Sequence, residues 1–598
     1  MNRFIFLLLA GLLLVPGSLL AAQPTLEELQ KQIADIVEEI EELQDRVAVP
    51  ERHSATDRIS WYGDLRVKAD TLHYNDVTWN PGIKVDFDDF ATKAGGAAFN
   101  TPIGTETITA AQQTAIETAL GYPLGTFPTG NALTPLTKML VAYPNLATAF
   151  GAGQLTGIKP FAMATGPKTY NINNDILYTT RLRLGMKANI ASNMDFSGRL
   201  SMYKNWGDST GTKVFDSWNA FTMDGTDGGS TSGDFLRVER AYFNWKDIGG
   251  SNFYLSIGRR PSTSGSPANY RNNELRGGTP SGHMVDFNFD GITIGYKLED
   301  LTGIEGQAIR FCYGQGFESE WGNGEMFNDT STANIEDTHL GGFNIDAYDD
   351  GRTLVQMTLF RAQDVNDGFK GTFAFPTAYA ALFAPTMYTD LQAFKNMNFV
   401  VRYTPSTVIG DINLAGINFA REEDNGFIWF GALGMTQLVP NGKAGMFGGL
   451  GTDAVYEATL TEDGKQIYMA PARAEDSDTQ EGYGVYVGIQ APAPMGKVGL
   501  EYNYGSEYWT PFTQAQDDAI GSKLATRGHA GEAYYIVDIN KNAFIKVGGI
   551  YYDYEYTGSG SPVGKPQKIS DIKKGSAYSL MPVVDTAYDL YASMTLKF

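Results

Sequence analysis

From residue 64 to the end of the chain, short stretches alternate apolar and polar residues with a period of two. This is the pattern of β-strands with one apolar and one polar face. The last stretch is the clearest: Leu590, Ala592, Met594, Leu596 and Phe598 alternate with Tyr591, Ser593, Thr595 and Lys597. Val498, Leu500, Tyr502 and Tyr504 alternate likewise with Gly499, Glu501 and Asn503, and Leu182, Leu184 and Met186 with Arg181, Arg183 and Lys187. The pattern predicts sixteen strands, near 64–74, 177–189, 194–206, 234–246, 252–259, 286–298, 306–315, 338–348, 353–363, 396–405, 411–421, 482–490, 497–505, 531–540, 543–556 and 585–598. Their connections run alternately long and short. The short ones are turn chemistry, such as Ile190-Ala191-Ser192-Asn193, Asp349-Asp350-Gly351-Arg352 and Lys541-Asn542. A soluble sandwich has no reason to sort its loops by length, whereas a membrane barrel keeps short turns at one end and long loops at the other. The expectation is an all-β transmembrane fold, an antiparallel β-barrel of about 16 strands over residues 64–598. One stretch resists it: residues 426–438 (GFIWFGALGMTQL) are too apolar for an outer loop, and either add a hairpin, for eighteen strands, or fold back into the lumen.

The first 63 residues follow other rules. Met1-Asn2-Arg3, the apolar run Phe4 to Val15 and the small-residue site Ser18-Leu19-Leu20-Ala21-Ala22 have the layout of a secretory signal, residues 1–22. Leu26, Leu29, Ile33, Ile36, Ile40, Leu43 and Val47 then recur at spacings of 3 and 4, the a/d seam of a short α-helical coiled coil over residues 23–49. Pro50 ends it, and residues 50–63 form a linker. A seam this short needs partners held close, which favours self-association, and its isoleucine-rich a positions tilt towards a homotrimer. An even number of strands puts both termini at one end of the barrel, so the seam is expected in the periplasm.

Composition removes other classes. The chain has 598 residues with 68 glycines, 12% aromatic and only 19% charged residues, against coiled coils or charged disordered tails as its main body. The one cysteine, Cys312, has no intrachain partner, which excludes a disulfide scaffold, haem attachment and cysteine-held metal sites, so no cofactor or metal is expected. A net charge of −22 argues against nucleic-acid binding. The five histidines, His53, His73, His283, His339 and His529, sit in no hydrolase motif, and no enzymatic activity is expected.

The terminal segment Leu590-Tyr591-Ala592-Ser593-Met594-Thr595-Leu596-Lys597-Phe598 resembles the assembly signal of Gram-negative outer-membrane proteins. The mature chain as a whole resembles a bacterial porin. Arg240-Ala241-Tyr242-Phe243-Asn244-Trp245, with Gly258-Arg259-Arg260-Pro261, is similar to a porin-like group that carries an N-terminal coiled coil. The resemblance implies an outer-membrane location, insertion by the barrel-assembly machinery, contact with outer-membrane lipids and lipopolysaccharide, and a water-filled channel for small hydrophilic solutes or ions. It also implies that the third long loop, 260–285 by count, folds inward and narrows the pore. The constriction candidates there are Arg259, Arg260, Arg271 and Arg276, with His283 beside them and only Glu274 against them.

Strand phase puts Arg66, Lys68, Arg181, Arg183, Lys187, Arg199, Arg237 and Arg310 on the early inner wall, and the acids Asp346, Glu501, Glu532 and Asp538 on the later one. Such a distribution sets ion selectivity at close range and favours anions. The competing reading is that these charges pair across adjacent strands and only stabilise the wall. A different function, the structural sheath of an outer-membrane electron-transfer conduit, would need its carrier, and an extracellular electron-transfer partner, from other chains.

Overall fold

Strand formation follows the two-residue period closely in the computed structural model, which describes residues 37, 58–86, 157–162, 166–208, 214–215, 236–318, 335–368, 371–384, 399–460, 467–514 and 516–598. The signal segment and every residue of the heptad seam lie outside the described residues. The wall consists of β1 (Ile59–Trp79), β2 (Leu177–Ala191), β3 (Met194–Asn205), β4 (Arg237–Trp245), β5 (Phe253–Arg260), β6 (Phe289–Lys297), β7 (Ala308–Phe317) and β8 (Thr338–Asp349). It continues through β9 (Thr353–Asn366), β10 (Val408–Glu422), β11 (Ile428–Pro440), β12 (Gln480–Ala493), β13 (Gly496–Gly505), β14 (Gly528–Asn540), β15 (Ala543–Tyr554) and β16 (Thr586–Lys597). Each pairs with the next, and a further short strand, Lys168–Asn173, pairs with the far end of β1 before the chain enters β2. β16 returns to β1 antiparallel, from Asp64 opposite Lys597 to Asn75 opposite Thr586, and closes an antiparallel barrel of sixteen staves. Closure leaves no unpaired strand edge in the wall.

The predicted alternation survives as two faces. Phe311, Phe343, Leu433, Val487, Leu500 and Leu590 are all exposed on the outside, while their strand neighbours Cys312, Asn344, Ala432, Tyr486, Glu501 and Tyr591 are buried inside. An apolar band of this extent belongs against lipid, with the lumen as the polar side. Among the described residues no helix is long and apolar enough to cross a membrane; the strands cross it. At the seam, Gly63 and Phe598 exchange backbone hydrogen bonds of 2.8 and 3.0 Å, and the Phe598 ring lies where a side chain on residue 63 would stand.

Two expectations about individual strands are corrected. The stretch 396–405 is not a stave: Phe399–Tyr403 pairs with Gly371–Phe375, which meets Val214–Phe215, in a separate three-stranded sheet within the long loops. The stretch 426–438 is a stave, β11, paired with β10 and β12. Sixteen remains the count because the two changes cancel. β11 looks too apolar because both of its faces meet apolar surroundings: Trp429, Leu433 and Met435 face outward, and Ile428, Phe430, Ala432 and Leu438 are buried inside. A strand covered on both faces loses its alternation. A second small sheet joins Gly82–Asp86, Ile158–Ala162, Ala454–Leu460 and Ile467–Ala474 from three stretches of the long loops.

Candidate functional site

Among the described residues, two long loops enter the barrel. Loop L3 (261–288), between β5 and β6, is buried through Arg271, His283 and Met284. Loop L7 (506–527), between β13 and β14, is buried through Trp509, Phe512 and Lys523. The loops are joined along the backbone: Phe512 N donates to Met284 O (2.9 Å) and Asp286 N to Phe512 O (2.5 Å). The Gln516 side-chain amide adds a hydrogen bond to the Asp286 carboxylate. Trp509 seats this pair on the wall. Side chains at Gly434, Gly484 or Gly505 would collide with its ring, so three glycines floor its slot. Its indole Nε1 donates to Leu524 O at 2.8 Å, and the His283 ring stacks on it at 5.0 Å.

Towards β12–β16 the contact is sealed. Arg271 of L3 binds Asp518 of L7 (2.6 Å) and Glu532 of β14 (3.0 Å). Lys523 of L7 bridges Glu501 and Glu532, and Lys546 reaches Glu532 at 3.1 Å. Tyr486 and Tyr534 donate to Glu501 at 2.7 and 3.0 Å. The side chains of Asp518 and Glu532 have 0% of their surface exposed. A buried carboxylate is tolerable only with partners: guanidinium, ammonium and hydroxyl groups surround Glu532, and Asp518 has the Arg271 guanidinium and the Lys523 backbone N–H.

Towards β1–β4 the surfaces stay partly open. Arg181 and Arg183 of β2 hold Asp64 of β1 at 3.0 and 2.6 Å, and both grip Glu274 of L3. Arg66 of β1 binds Asp517 of L7, and Arg199 of β3 binds Glu239 of β4 with one contact of 2.8 Å. The side chains of Glu274 and Asp517 keep 15% and 16% of their surface exposed. Adjacent L7 residues thus face opposite ways, Asp517 to the arginine wall and Asp518 to the sealed cluster. On the β6–β9 side, Arg276 of L3 reaches Asp346 (3.0 Å) and Asp349 (3.2 Å), and Arg310 holds Asp346 at 2.6 Å.

Three loop carboxyls are shifted. Burial pushes the Asp286 carboxyl up to about 7, against the Ser264 N–H and Gln516 amide that favour its charge. Glu274 and Asp517 feel the same burial, but the Arg183 and Arg181 guanidiniums beside Glu274, and those of Arg66 and Arg181 beside Asp517, hold both well below the usual carboxylate range.

The inner-wall candidates scatter in their surroundings. Lys68 pairs with Asp70 at 2.5 Å, Lys187 lies 5.8 Å from the Tyr62 ring, and Arg237 opposes Ser201 in register. Arg260 and Arg240 rest on hydroxyls, Arg260 on Ser256 (3.0 Å) and Thr293, Arg240 on Thr263 (3.0 Å). Arg259 stands on the opposite strand face from Arg260 and binds Asp290 at 3.0 Å, away from the constriction. Asp538 is exposed at the short-turn end of β14. The acids Glu501 and Glu532 are enclosed in the sealed cluster. L7 is the part sequence reasoning missed, although Tyr508-Trp509-Thr510-Pro511-Phe512 is an aromatic run unsuited to a free outer loop.

A closed, membrane-type barrel with paired loops inside it is the class that fold and site define. The chain belongs to the family described as protein of unknown function (DUF3373), whose profile matches residues 171–598. No curated protein matches it. Solved structures with a similar course include OmpF of Salmonella typhi in complex with daunomycin, at TM-score 0.36 and 8% identity over 90% of this chain and 97% of that one. OprB of Pseudomonas putida gives 0.38 and 8%, over 92% and 96%. The trimer form of OmpT of Vibrio cholerae gives 0.35 and 9%, over 90% and 99%. Likenesses this distant add nothing to the barrel seen directly.

Proposed function

We propose that the protein is a porin-type channel of the bacterial outer membrane, through which small hydrophilic solutes and ions diffuse, anions ahead of cations. The observation that carries this reading is the asymmetric lumen. L3 and L7 seal one side, and the partly open side is faced by Arg66, Arg181, Arg183 and Arg199. Acids partner these four, but Arg240 and Arg260 rest on hydroxyl and carbonyl oxygens alone among the described residues, which leaves the route an excess of positive charge. In this reading the short turns face the periplasm, the chain is inserted by the barrel-assembly machinery through its terminal Phe598, and subunits associate as trimers. L3 and L7 stand where an enclosed electron carrier would sit, so the sheath reading is not adopted. Purified protein in planar bilayers under a KCl gradient tests the proposal. Discrete conductance steps with a reversal potential towards chloride are expected. A reversal potential towards potassium would end the anion preference, and folded protein without steps would end the channel.

A further inference from the structure

At the short-turn end the barrel holds a cavity of about 490 Å³, roofed by the L3 residues Asn273, Leu275 and Arg276 and walled by Lys497, Lys597 and Glu422 among others. Lys497 opens β13 and Lys597 ends β16, so two intervening staves separate them along the wall. Both ammonium groups nevertheless converge on one residue. Lys597 Nζ donates to the backbone oxygen of Asn273 at 2.9 Å, and Lys497 Nζ to its Oδ1 at 3.2 Å. Among the described residues neither lysine has a carboxylate in ion-pair reach. Glu274, which follows Asn273 and also lines the cavity, has its carboxylate engaged by Arg181 and Arg183. Asn273 is a fixed tip, in the left-handed region at φ 51° with its N–H on Tyr270 O at 3.1 Å. Beside it Leu275, an apolar side chain, is 92% exposed into the cavity.

We propose that this cavity is a binding station for the carboxylate of small organic acids that carry a short apolar body. Two like charges drawn together on neutral amide oxygens are an incomplete arrangement. An anion between them relieves their repulsion and replaces neutral hydrogen bonds by charge-assisted ones. Leu275 offers the apolar body a well-exposed apolar surface in the same lining as the lysines. Glu422, across the cavity on β10, repels a carboxylate from that wall and directs it to the lysine side. Asp349, also in the lining, is already taken by Arg276. The inference rests on the channel reading only for how the solute arrives.

Benzoate is the probe, with inorganic phosphate as the anion lacking an apolar body. Benzoate is expected to block KCl conductance in planar bilayers at lower concentration than phosphate. The double variant Lys497→Gln/Lys597→Gln raises the half-blocking concentration at least tenfold, while Lys297→Gln, at the end of β6 and outside the cavity lining, leaves it unchanged. Leu275→Ser weakens benzoate about threefold and phosphate not at all. Unchanged benzoate block in the double variant, or phosphate as effective as benzoate, overturns the proposal. Should the protein carry no current, the channel reading fails separately, and calorimetric titration of detergent-solubilised protein with benzoate decides the site through the same variants.

Discussion

The two sides of the lumen use the same chemistry to different ends. On the sealed side Arg271 meets Asp518 and Glu532 with no carboxylate surface left exposed, and Trp509 and Met284 lie in a continuous apolar cluster with Phe512, Leu414 and Leu438. On the arginine side the guanidiniums of Arg66, Arg181 and Arg183 meet Asp64, Glu274 and Asp517, which retain contact with solvent. Ion pairs alone therefore do not distinguish a structural from a functional wall. The difference lies in what surrounds them. Apolar packing behind the first set raises the cost of breaking it, whereas the carboxylates of the second set keep some exposed surface, which screens their charge in part.

The largest effect separating the sides is expected from Arg271→Ala. It leaves Asp518 and Glu532 short of a partner in a sealed setting, a loss of about 3–5 kcal/mol. The thermal unfolding midpoint of the barrel in detergent should fall accordingly, and conductance should rise as L3 and L7 part. A midpoint within a degree of the unmodified protein would show that the sealed cluster holds nothing.

Much of this was legible in the sequence. The outward residues of β16, from Leu590 to Phe598, and the inward phase of Arg181 and Arg183 follow from alternation, because lipid and lumen demand opposite faces. β11 was not legible, since L3 and L7 give its inner face the apolar surroundings that lipid gives its outer face. Phe399–Tyr403 alternates too, but in a sheet outside the wall, and a period of two does not tell one sheet from another. The signs of the wall charges were legible and their partners were not. That Arg183 meets Glu274 depends on the path of L3 through the barrel, and that Arg271 meets Asp518 depends on L7, whose aromatic run was the only signal that it turns inward.

A second way to sharpen the contrast is pH. The folded-state carboxyl of Asp286, on the sealed side, titrates near 7, above its usual 3.8. A carboxyl raised by folding contributes stability that is full below its unfolded value and is lost as pH rises through the folded one. Between pH ~5.5 and ~8.5 the loss is about 2 kcal/mol. Glu274 and Asp517 are shifted the other way, so their contribution is present above the unfolded carboxylate range and is lost only as pH falls below it. Over the neutral range the L3–L7 joint should loosen as Asp286 ionises. The unfolding midpoint is expected to drop from pH 5.5 to 8.5 in the unmodified protein and to drop less in Asp286→Asn. Equal slopes in the two proteins would remove Asp286 from the account.

The smallest effect on stability, and the most telling for function, is expected from Arg183→Gln. Arg181 continues to hold both Asp64 and Glu274 after the substitution, so the loss is expected to stay below that of Arg271→Ala, whose carboxylates have no exposed surface. Selectivity should respond far more than stability, because removing one guanidinium leaves Glu274 less compensated beside the open route. The reversal potential under a KCl gradient is then expected to move towards potassium, with a fall in the unfolding midpoint smaller than that of Arg271→Ala. Arg271→Ala should give the converse, a large change in midpoint with little change in the sign of selectivity. If Arg183→Gln instead destabilised the barrel as strongly as Arg271→Ala and left the reversal potential where it was, the two sides would be one structural core and the division between them would have no functional meaning.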